Sequence, residues 1–359
     1  MNMSKIDIII PAYEPDVRLL NLLEELDKQN LGPVILINDG SGPEYNSIFE
    51  KAALIINRLH GTILTHDFNK GKGRALKTAF SYILKYGLDV EAVVTADSDG
   101  QHTPECIKKM INATEKNPGC LILGVRNFTG TDVPWKSRFG NRLTEKVFQF
   151  VSGAHITDTQ TGLRGIPRKY MKELLELKGE RFEFEMRMLL DAAGKYQIVE
   201  IPISTVYDSV ENHQTHFDPF RDSLRIYRIL GKKIIKYVFS SFSSSIIDLI
   251  VFSILIQVLR KSQPLFYTAI ATVIARLISA TYNYFINYKV VFKSNESVSA
   301  SALKYFILAI AQMICSAGLV TVFAFLIPFI PEIILKIVVD TFLFFVSYYI
   351  QQHIVFHKQ

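Results

Sequence analysis

Cysteine is scarce in this sequence: its 359 residues include three, Cys106, Cys120 and Cys315, with no Cys-x-x-Cys pair among them. A disulfide framework and a cysteine zinc site are thereby excluded. No GxxxxGK[ST] spacing occurs, which removes a Walker-type phosphate loop. Charge is the third scarcity, and it is local. Residues 1–236 hold 32 of the 40 Lys and Arg and 30 of the 34 Asp and Glu, whereas residues 237–359 hold 8 and 4. A single globular domain and a disordered chain are both excluded by that split. It reads as a soluble-looking domain at 1–215, a basic amphipathic juxtamembrane segment at 216–236 and a membrane-looking domain at 237–359.

The net charge of +6 does not point to nucleic acid. Residues 1–236 contribute only +2, with no basic face interleaved with aromatics. The local excess is Arg221, Arg225, Arg228, Lys232, Lys233 and Lys236 against Asp222. Such a cluster before an apolar span reads as a cytoplasmic segment held by anionic lipid. The N-terminal apolar run Ile6 to Ile10, ended by Pro11, reads as a strand rather than a signal peptide, which keeps the first domain in the cytosol.

Through the first 207 residues, apolar runs at Ile6 to Pro11, Val34 to Asn38, Gly61 to His66, Ala92 to Ala96 and Cys120 to Val125 alternate with helical patterns. This βαβ alternation predicts a mostly parallel sheet with helices on both faces, an α/β Rossmann-like domain. Ligands in such a fold sit beyond the carboxyl ends of the strands, where the polar clusters of this sequence fall. After Lys236, apolar stretches at 237–259, 265–288, 303–327 and 333–355 each exceed the about 20 residues of a spanning helix. Four spans predict an all-α membrane domain with both termini cytoplasmic, the side on which most of the flanking Lys and Arg fall. A weak parallel repeat is visible too. A shift of 64 residues lays Tyr284 on Tyr348, Asn287 on Gln351 and Phe292 on Phe356, and a shift of 68 lays Lys236-Tyr237 on Lys304-Tyr305.

Chemistry concentrates in a few motifs. Asp97-Ser98-Asp99 follows a strand and precedes Gly100-Gln101-His102. Two carboxylates so spaced can share one Mg2+ or Mn2+ through hard oxygen ligands and leave positions open for diphosphate oxygens. By itself, Asp-x-Asp also reads as a turn or helix cap. Pro11-Ala12-Tyr13 offers an aromatic for a nucleobase, Asp39 an acceptor for a base N–H, and Asn69-Lys70-Gly71-Lys72-Gly73 a helix start at which backbone N–H groups and a lysine meet phosphate.

In this order, the runs Ile8-Ile9-Ile10-Pro11-Ala12-Tyr13, Asn38-Asp39-Gly40-Ser41, Asn69 to Gly73, Asp97 to His102, Asp158-Thr159-Gln160-Thr161-Gly162-Leu163-Arg164 and Phe182-Glu183-Phe184-Glu185 resemble the family 2 glycosyltransferases of GT-A fold. The resemblance is specifically to the dolichol-phosphate mannose synthase-like branch. It implies that Asp97, Asp99 and Gln101 form the metal and donor-diphosphate site, with Ser98 and Lys72 beside it. Pro11, Tyr13 and Asp39 correspond to the nucleotide pocket. The acid usual after the Tyr motif is replaced by Glu14-Pro15-Asp16, so that either Glu14 or Asp16 fills that role. Glu185 is assigned to holding sugar hydroxyls or orienting an arginine. Arg126, Arg138, Arg164, His216 and Arg221 are implied as cations for a lipid phosphate. The helix Lys136 to Val151, with Phe139, Leu143, Val147 and Phe150 on one stripe, reads as lying in the membrane interface or as packed on the core.

The apolar region resembles the GtrA-like membrane family through Arg276 with Asn283-Tyr284-Phe285 and through Asp340 with Ser347-Tyr348-Tyr349. Members of that family are thought to help move polyprenyl-phosphate sugars across the bilayer. Asp248, Arg276 and Asp340 fall near mid-membrane, where charge is costly and usually functional. Arg276 is expected to pair with Asp340 or Asp248, either along a headgroup path or as a structural ion pair. Together the resemblances imply a metal-dependent, inverting, multi-pass membrane enzyme that transfers glucose from UDP-glucose to undecaprenyl phosphate. A GDP-mannose-dependent synthase is the alternative. A processive polysaccharide synthase is disfavoured because the single tryptophan, Trp135, stands in no Gln-x-x-Arg-Trp motif. A transporter whose first domain only binds a nucleotide sugar is the rival from another class. A four-span bundle of this kind is also compatible with a homo-oligomer.

Overall fold

The computed structural model describes residues 5–126, 135–204, 221–262, 267–327 and 329–356, with the side chains of 135–141, 221–227, 260–262, 267, 269 and 332 outside that description. The chain divides into two compact units, Met1–Ile229 and Leu230–Gln359.

The first unit carries strands β1 (Ile6–Ala12), β2 (Val34–Asn38), β3 (Thr62–Thr65), β4 (Ala92–Thr95), β5 (Leu121–Arg126), β6 (Arg164–Pro167) and β7 (Ile198–Ile203). They form one sheet in the order β3-β2-β1-β4-β6-β5-β7. The pairs are parallel except those of β6, which runs antiparallel between β4 and β5. The sheet is mostly parallel, as expected, with β6 as the one antiparallel strand among the described residues. β1 to β5 announce themselves as apolar runs. β6 does not, because it begins with Arg164 and ends with Pro167. β7 contains Pro202, a residue tolerated at the sheet edge it occupies.

The helices of this unit are α1 (Val17–Lys28), α2 (Asn46–Arg58), α3 (Lys72–Tyr86), α4 (Pro104–Lys116), α5 (Trp135–Ser152), α6 (Arg168–Glu176) and α7 (Glu183–Ala192). Strand alternation sends Ile6, Ile8, Ile10 and Ala12 of β1 into one core with Leu19 and Leu23 of α1, Ile55 and Ile56 of α2, and Ile107 and Met110 of α4. α3 packs on β1 and β2, with α6 and α7 against it. In α5 the buried positions are Thr144, Phe148 and Val151, while Leu143 is 42% exposed. Of the two readings of this helix, packing of the Leu143 stripe on the core is not what the described residues show, since Phe148 rather than Leu143 is buried.

The second unit contains the rest of α8 (Arg221–Ser262), then α9 (Tyr267–Ile286), α10 (Val298–Leu326) and α11 (Glu332–Ile350). Three segments are long and apolar enough to cross a membrane, namely Arg228–Leu259, Val298–Leu326 and Ile333–Val355. α9 is helical over 20 residues but is not one of the three. Three of the four expected spans are thus seen as long apolar helices among the described residues.

The internal repeat is visible in three dimensions. α9 and α11 both run into five-residue π-helical turns, Asn287–Val291 and Gln351–Val355, which are 64 positions apart. Tyr284 and Tyr348 are buried at 2% and 0% exposure, and Phe292 stacks on Phe356 with centroids 5.2 Å apart. The first residues of the two turns meet, with Asn287 Nδ2 donating to Gln351 Oε1 at 3.0 Å. Tyrosines are exchanged between the halves. Tyr305 of α10 donates to Asn283 Oδ1 of α9 at 2.8 Å, while Tyr237 of α8 accepts from Gln351 Nε2, just beyond α11, at 2.9 Å.

Candidate active site

The site is built where β4 ends. Asp97 and Asp99 follow it, and Gly100 turns the chain at φ +76°, letting the Gln101 N–H donate to Asp99 Oδ1 at 3.0 Å. Across from this turn, α3 opens with Lys72. Gly71 stands at φ +95°, and a Cβ there would lie 2.5 Å from the Glu180 carbonyl oxygen; one at Gly73 would lie 2.6 Å from Phe184 Cβ. These glycines let the start of α3 approach the segment leading into α7. Lys72 Nζ then reaches Asp97 Oδ1 at 2.6 Å and Glu185 Oε1 at 3.0 Å. His102 Nε2 stands 3.4 Å from Asp97 Oδ2.

Burial opposes charge on Asp97, but Lys72 and His102 outweigh it and hold the carboxyl well below the usual range. Burial likewise opposes charge on Lys72, and Asp97 with Glu185 holds its ammonium well above the ordinary lysine value. Asp99 is pushed up, first by burial and then by the charge of Asp97. Two hard carboxylates in mutual repulsion suit a divalent cation. A methyl group at Gly162 would fall against Asp97 Oδ2, so the glycine keeps that side of the carboxylate clear. The two carboxylates are hard oxygen donors of the kind Mg2+ or Mn2+ takes, with phosphate or water oxygens needed to complete the set; no group of three His, Cys, Asp or Glu lies together among the described residues.

Several residues singled out by sequence take other positions. Asp39 is 3% exposed, and its carboxylate accepts from Lys70 N at 3.0 Å, Gly71 N at 2.8 Å and His66 Nδ1 at 2.7 Å. It holds the loop ahead of α3. Asp16 is the N-cap of α1, bound to Arg18 N at 2.9 Å and paired with the Arg18 guanidinium at 2.8 Å. Glu14 takes φ +49° and anchors its N–H on Ser41 Oγ at 2.9 Å. The hydroxyl of Tyr13 is pushed up, foremost by its hydrogen bond to Glu14. Pro11 lies in β1 and Ser98 between the two carboxylates.

Arg164 is a correction. It is 1% exposed, and its guanidinium donates to the carbonyls of Thr161 at 2.9 Å and Glu185 at 2.8 Å. It ties the 161–164 segment to α7, and although its Nη2 keeps an unpartnered N–H, burial places it away from a phosphate arriving at a surface. Arg126, at the end of β5, is partly exposed and forms a bidentate pair with Asp158 at 2.7 and 3.0 Å. The side chains of Arg138 and Arg221 and all of His216 lie outside the described residues. Sequence reasoning placed Asp158, Gly162 and His102 inside motifs without giving them a role. Gly162 and His102 stand against Asp97, and Asp158 acts through Arg126.

In the membrane unit, Arg276 Nη2 lies 3.7 Å from Asp248 Oδ2, which selects Asp248 over Asp340 as its partner. Ser279 Oγ donates to Asp248 Oδ1 at 2.8 Å. Asp340 pairs instead with Lys336 at 2.8 Å and accepts from Ser316 Oγ. Each hairpin thus carries one acid, one serine and one base, with the acid on α8 in the first half and on α11 in the second.

Comparison with known proteins adds the decisive observation. Residues 7–175 match the model of glycosyl transferase family 2, and residues 236–356 match the GtrA/DPMS transmembrane domain. The UDP-N-acetylglucosamine–dolichyl-phosphate N-acetylglucosaminyltransferase of Methanococcus voltae is 30% identical over 217 residues, spanning 56% of this chain and 85% of that protein. The chain is a family 2 glycosyl transferase. This glycosyl transferase also resembles the dolichol-phosphate mannosyltransferase of Pyrococcus furiosus, at 26% identity over 260 residues, 68% of this chain and 70% of that one. An uncharacterized protein of Methanocaldococcus jannaschii is 26% identical over 213 residues, 58% and 84% of the two chains. The mixed sheet of this glycosyl transferase is the Rossmann-like GT-A arrangement, and its C-terminal part makes it a membrane protein.

Proposed function

We propose that this glycosyl transferase moves one hexose, with inversion, from a nucleotide sugar to polyprenyl phosphate at the cytoplasmic face of a membrane. The observation that carries the proposal is the Asp97–Asp99 turn, opposed by Lys72 and Glu185, in a chain that continues into a GtrA/DPMS transmembrane domain. Dolichyl phosphate stands in the names of two relatives, with N-acetylglucosamine in one and mannose in the other. UDP-glucose is the first donor to test.

Asp97 and Asp99 would hold the cation, with Gln101 near enough in sequence to join them. A divalent ion there supplies charge neutralisation for the departing nucleoside diphosphate. Glu185, anchored by Arg164 through its backbone carbonyl, is set to orient sugar hydroxyls while its carboxylate braces Lys72. Asp39 shapes the 69–71 loop toward the donor, beside Tyr13. A phosphate acceptor is already anionic at neutral pH, so no strong general base is required; positioning and electrostatics carry the rate. Arg126, oriented by Asp158, with Arg138, His216 and Arg221, would receive the acceptor phosphate. Both termini face the cytosol in this reading, α9 crosses the membrane as a fourth helix, and the Arg276–Asp248 and Lys336–Asp340 pairs give polar footing to the product headgroup.

The test is detergent-solubilised full-length protein with Mg2+ or Mn2+, short-chain polyprenyl phosphate and labelled UDP-glucose, UDP-N-acetylglucosamine or GDP-mannose. Lipid-linked product with one donor, abolished by EDTA, is expected. Absence of product with every donor would leave a membrane transporter that merely binds nucleotide sugar.

A further inference from the structure

Lys72 occupies an unusual place for a phosphate ligand. Its ammonium lies between Asp97 and Glu185, 2.6 and 3.0 Å from their oxygens, with a side chain only 14% exposed. Asp97 thus spends one carboxylate oxygen on an ammonium and turns the other toward His102 at 3.4 Å. Asp99 stands two positions on, with Oδ1 already accepting the Gln101 N–H. A divalent cation coming to this pair meets a carboxylate half neutralised, and a fixed positive charge within a few ångströms of its seat. Like charges at that range repel strongly where water is sparse.

Lys72 cannot drift away to relieve the repulsion. It is the first residue of α3, and the helix start is pinned on both sides. The Arg74 N–H donates to the Glu180 carbonyl at 3.0 Å, and the glycines flanking Lys72 are packed so closely that a Cβ at either would collide with the 180–184 segment. The ammonium therefore changes partner by side-chain rotation alone. A diphosphate entering between the helix start and the acidic turn offers that partner, together with further oxygens for the cation.

We propose that Lys72 is an internal counter-cation that suppresses metal binding to Asp97 and Asp99 until a nucleoside diphosphate draws it away, so that metal and donor load together. Lys72 is in this sense a positioning and regulatory residue of the donor site, and the proposal rests on the glycosyl-transfer reading given above. A site so arranged does not hold a metal ion idly without substrate, and the nucleotide end of the donor rather than its sugar releases the restraint.

Mn2+ binding, read by the loss of the free-ion paramagnetic resonance signal, tests this without turnover. The detergent-solubilised full chain is titrated alone and with UDP or GDP, with nucleotide-only blanks, as wild type, Lys72→Met and Lys72→Gln. Either variant that keeps the wild-type melting profile serves. Wild type is expected to bind Mn2+ weakly alone and about tenfold or more tightly with the matching nucleoside diphosphate. The variants are expected to bind Mn2+ about tenfold more tightly than wild type without nucleotide, and to gain little on its addition. Nucleotide-free affinity in the variants no greater than in wild type would overturn the role of Lys72 while leaving the enzyme reading intact. No specific Mn2+ binding by any form, with either nucleotide, would overturn the cation reading of the site and the proposal with it.

Discussion

Gly162 offers a sharp perturbation, because a single methyl group there is aimed at the acidic turn. In Gly162→Ala the new Cβ would lie 2.7 Å from both Cγ and Oδ1 of Asp97, and closer still to Oδ2. Contacts to carbon settle at about 3.5 Å, so the nearest oxygen, Oδ2, must give way by about 1.2 Å. It is tied to Lys72 at 2.6 Å and faces His102 at 3.4 Å, and its retreat loosens that buried pair. The Gly162 carbonyl is itself held by Thr95 Oγ1 at 2.7 Å, which limits what the backbone can absorb. A displacement near 1 Å of a positioning group costs about 100-fold in rate, equivalent to about 2.7 kcal/mol of transition-state stabilisation. Overpacking of this kind costs about 1–3 kcal/mol, partly offset by the about 0.4–1 kcal/mol that Gly→Ala gains through the unfolded state, so the melting temperature should fall by a few degrees while the fold persists. The assay is the initial rate of labelled hexose transfer to polyprenyl phosphate, alongside thermal unfolding of the same preparation. A kcat/KM within threefold of wild type would refute the claim that Asp97 has no room to yield.

Other consequences can be checked in the same preparations. Burial on β1 pushes the carboxyl of Asp7 up to about 6 from an ordinary 3.8. Between those values the folded chain keeps a proton that the unfolded chain releases, so stability falls as pH rises through that window and levels off above it. Asp7→Asn should match wild type near pH 4 and exceed it by about 3 kcal/mol above pH 7, read as the pH dependence of thermal unfolding. Asp158→Asn removes the carboxylate from a bidentate pair whose acid is fully buried, and should cost about 3 kcal/mol. A double-mutant cycle with Arg126→Gln should give a coupling above about 1 kcal/mol, and additive effects would dismiss the pair. In the membrane unit, Asn287→Leu and Gln351→Leu should each lower stability by about 1–3 kcal/mol by stranding the other's amide. The double variant should cost less than the sum, as measured by thermal unfolding in detergent.

Much of the first unit was legible because its elements are punctuated by unambiguous chemistry. Runs such as Val34 to Asn38 are apolar throughout and bounded by turn residues, which is what a strand buried on both faces requires. β6 escaped notice because its leading residue is Arg164, a side chain that reads as surface until its carbonyl partners are seen. Asp39 and Asp16 show the other limit. An acid at a strand end or helix start is equally suited to a ligand or to the backbone N–H groups beside it, and only coordinates reveal which donors it faces. The Lys72 bridge was illegible in principle, since it joins residues 25 and 113 positions away through the packing of glycines. The repeat in the membrane unit was faint in identity yet sound in position, because what recurs is the geometry of a helix end, which several side chains can serve.

The exchange of tyrosines in the membrane unit bears on how such a domain can be inherited. Each hairpin places a tyrosine on polar side chains of the other. The central contact is also unequal, Asn287 against the longer Gln351. Two copies of the first hairpin would leave a gap of about one methylene length there, and two copies of the second would crowd it. The halves have therefore become complementary parts, and a deletion or duplication of either would be felt first at this contact.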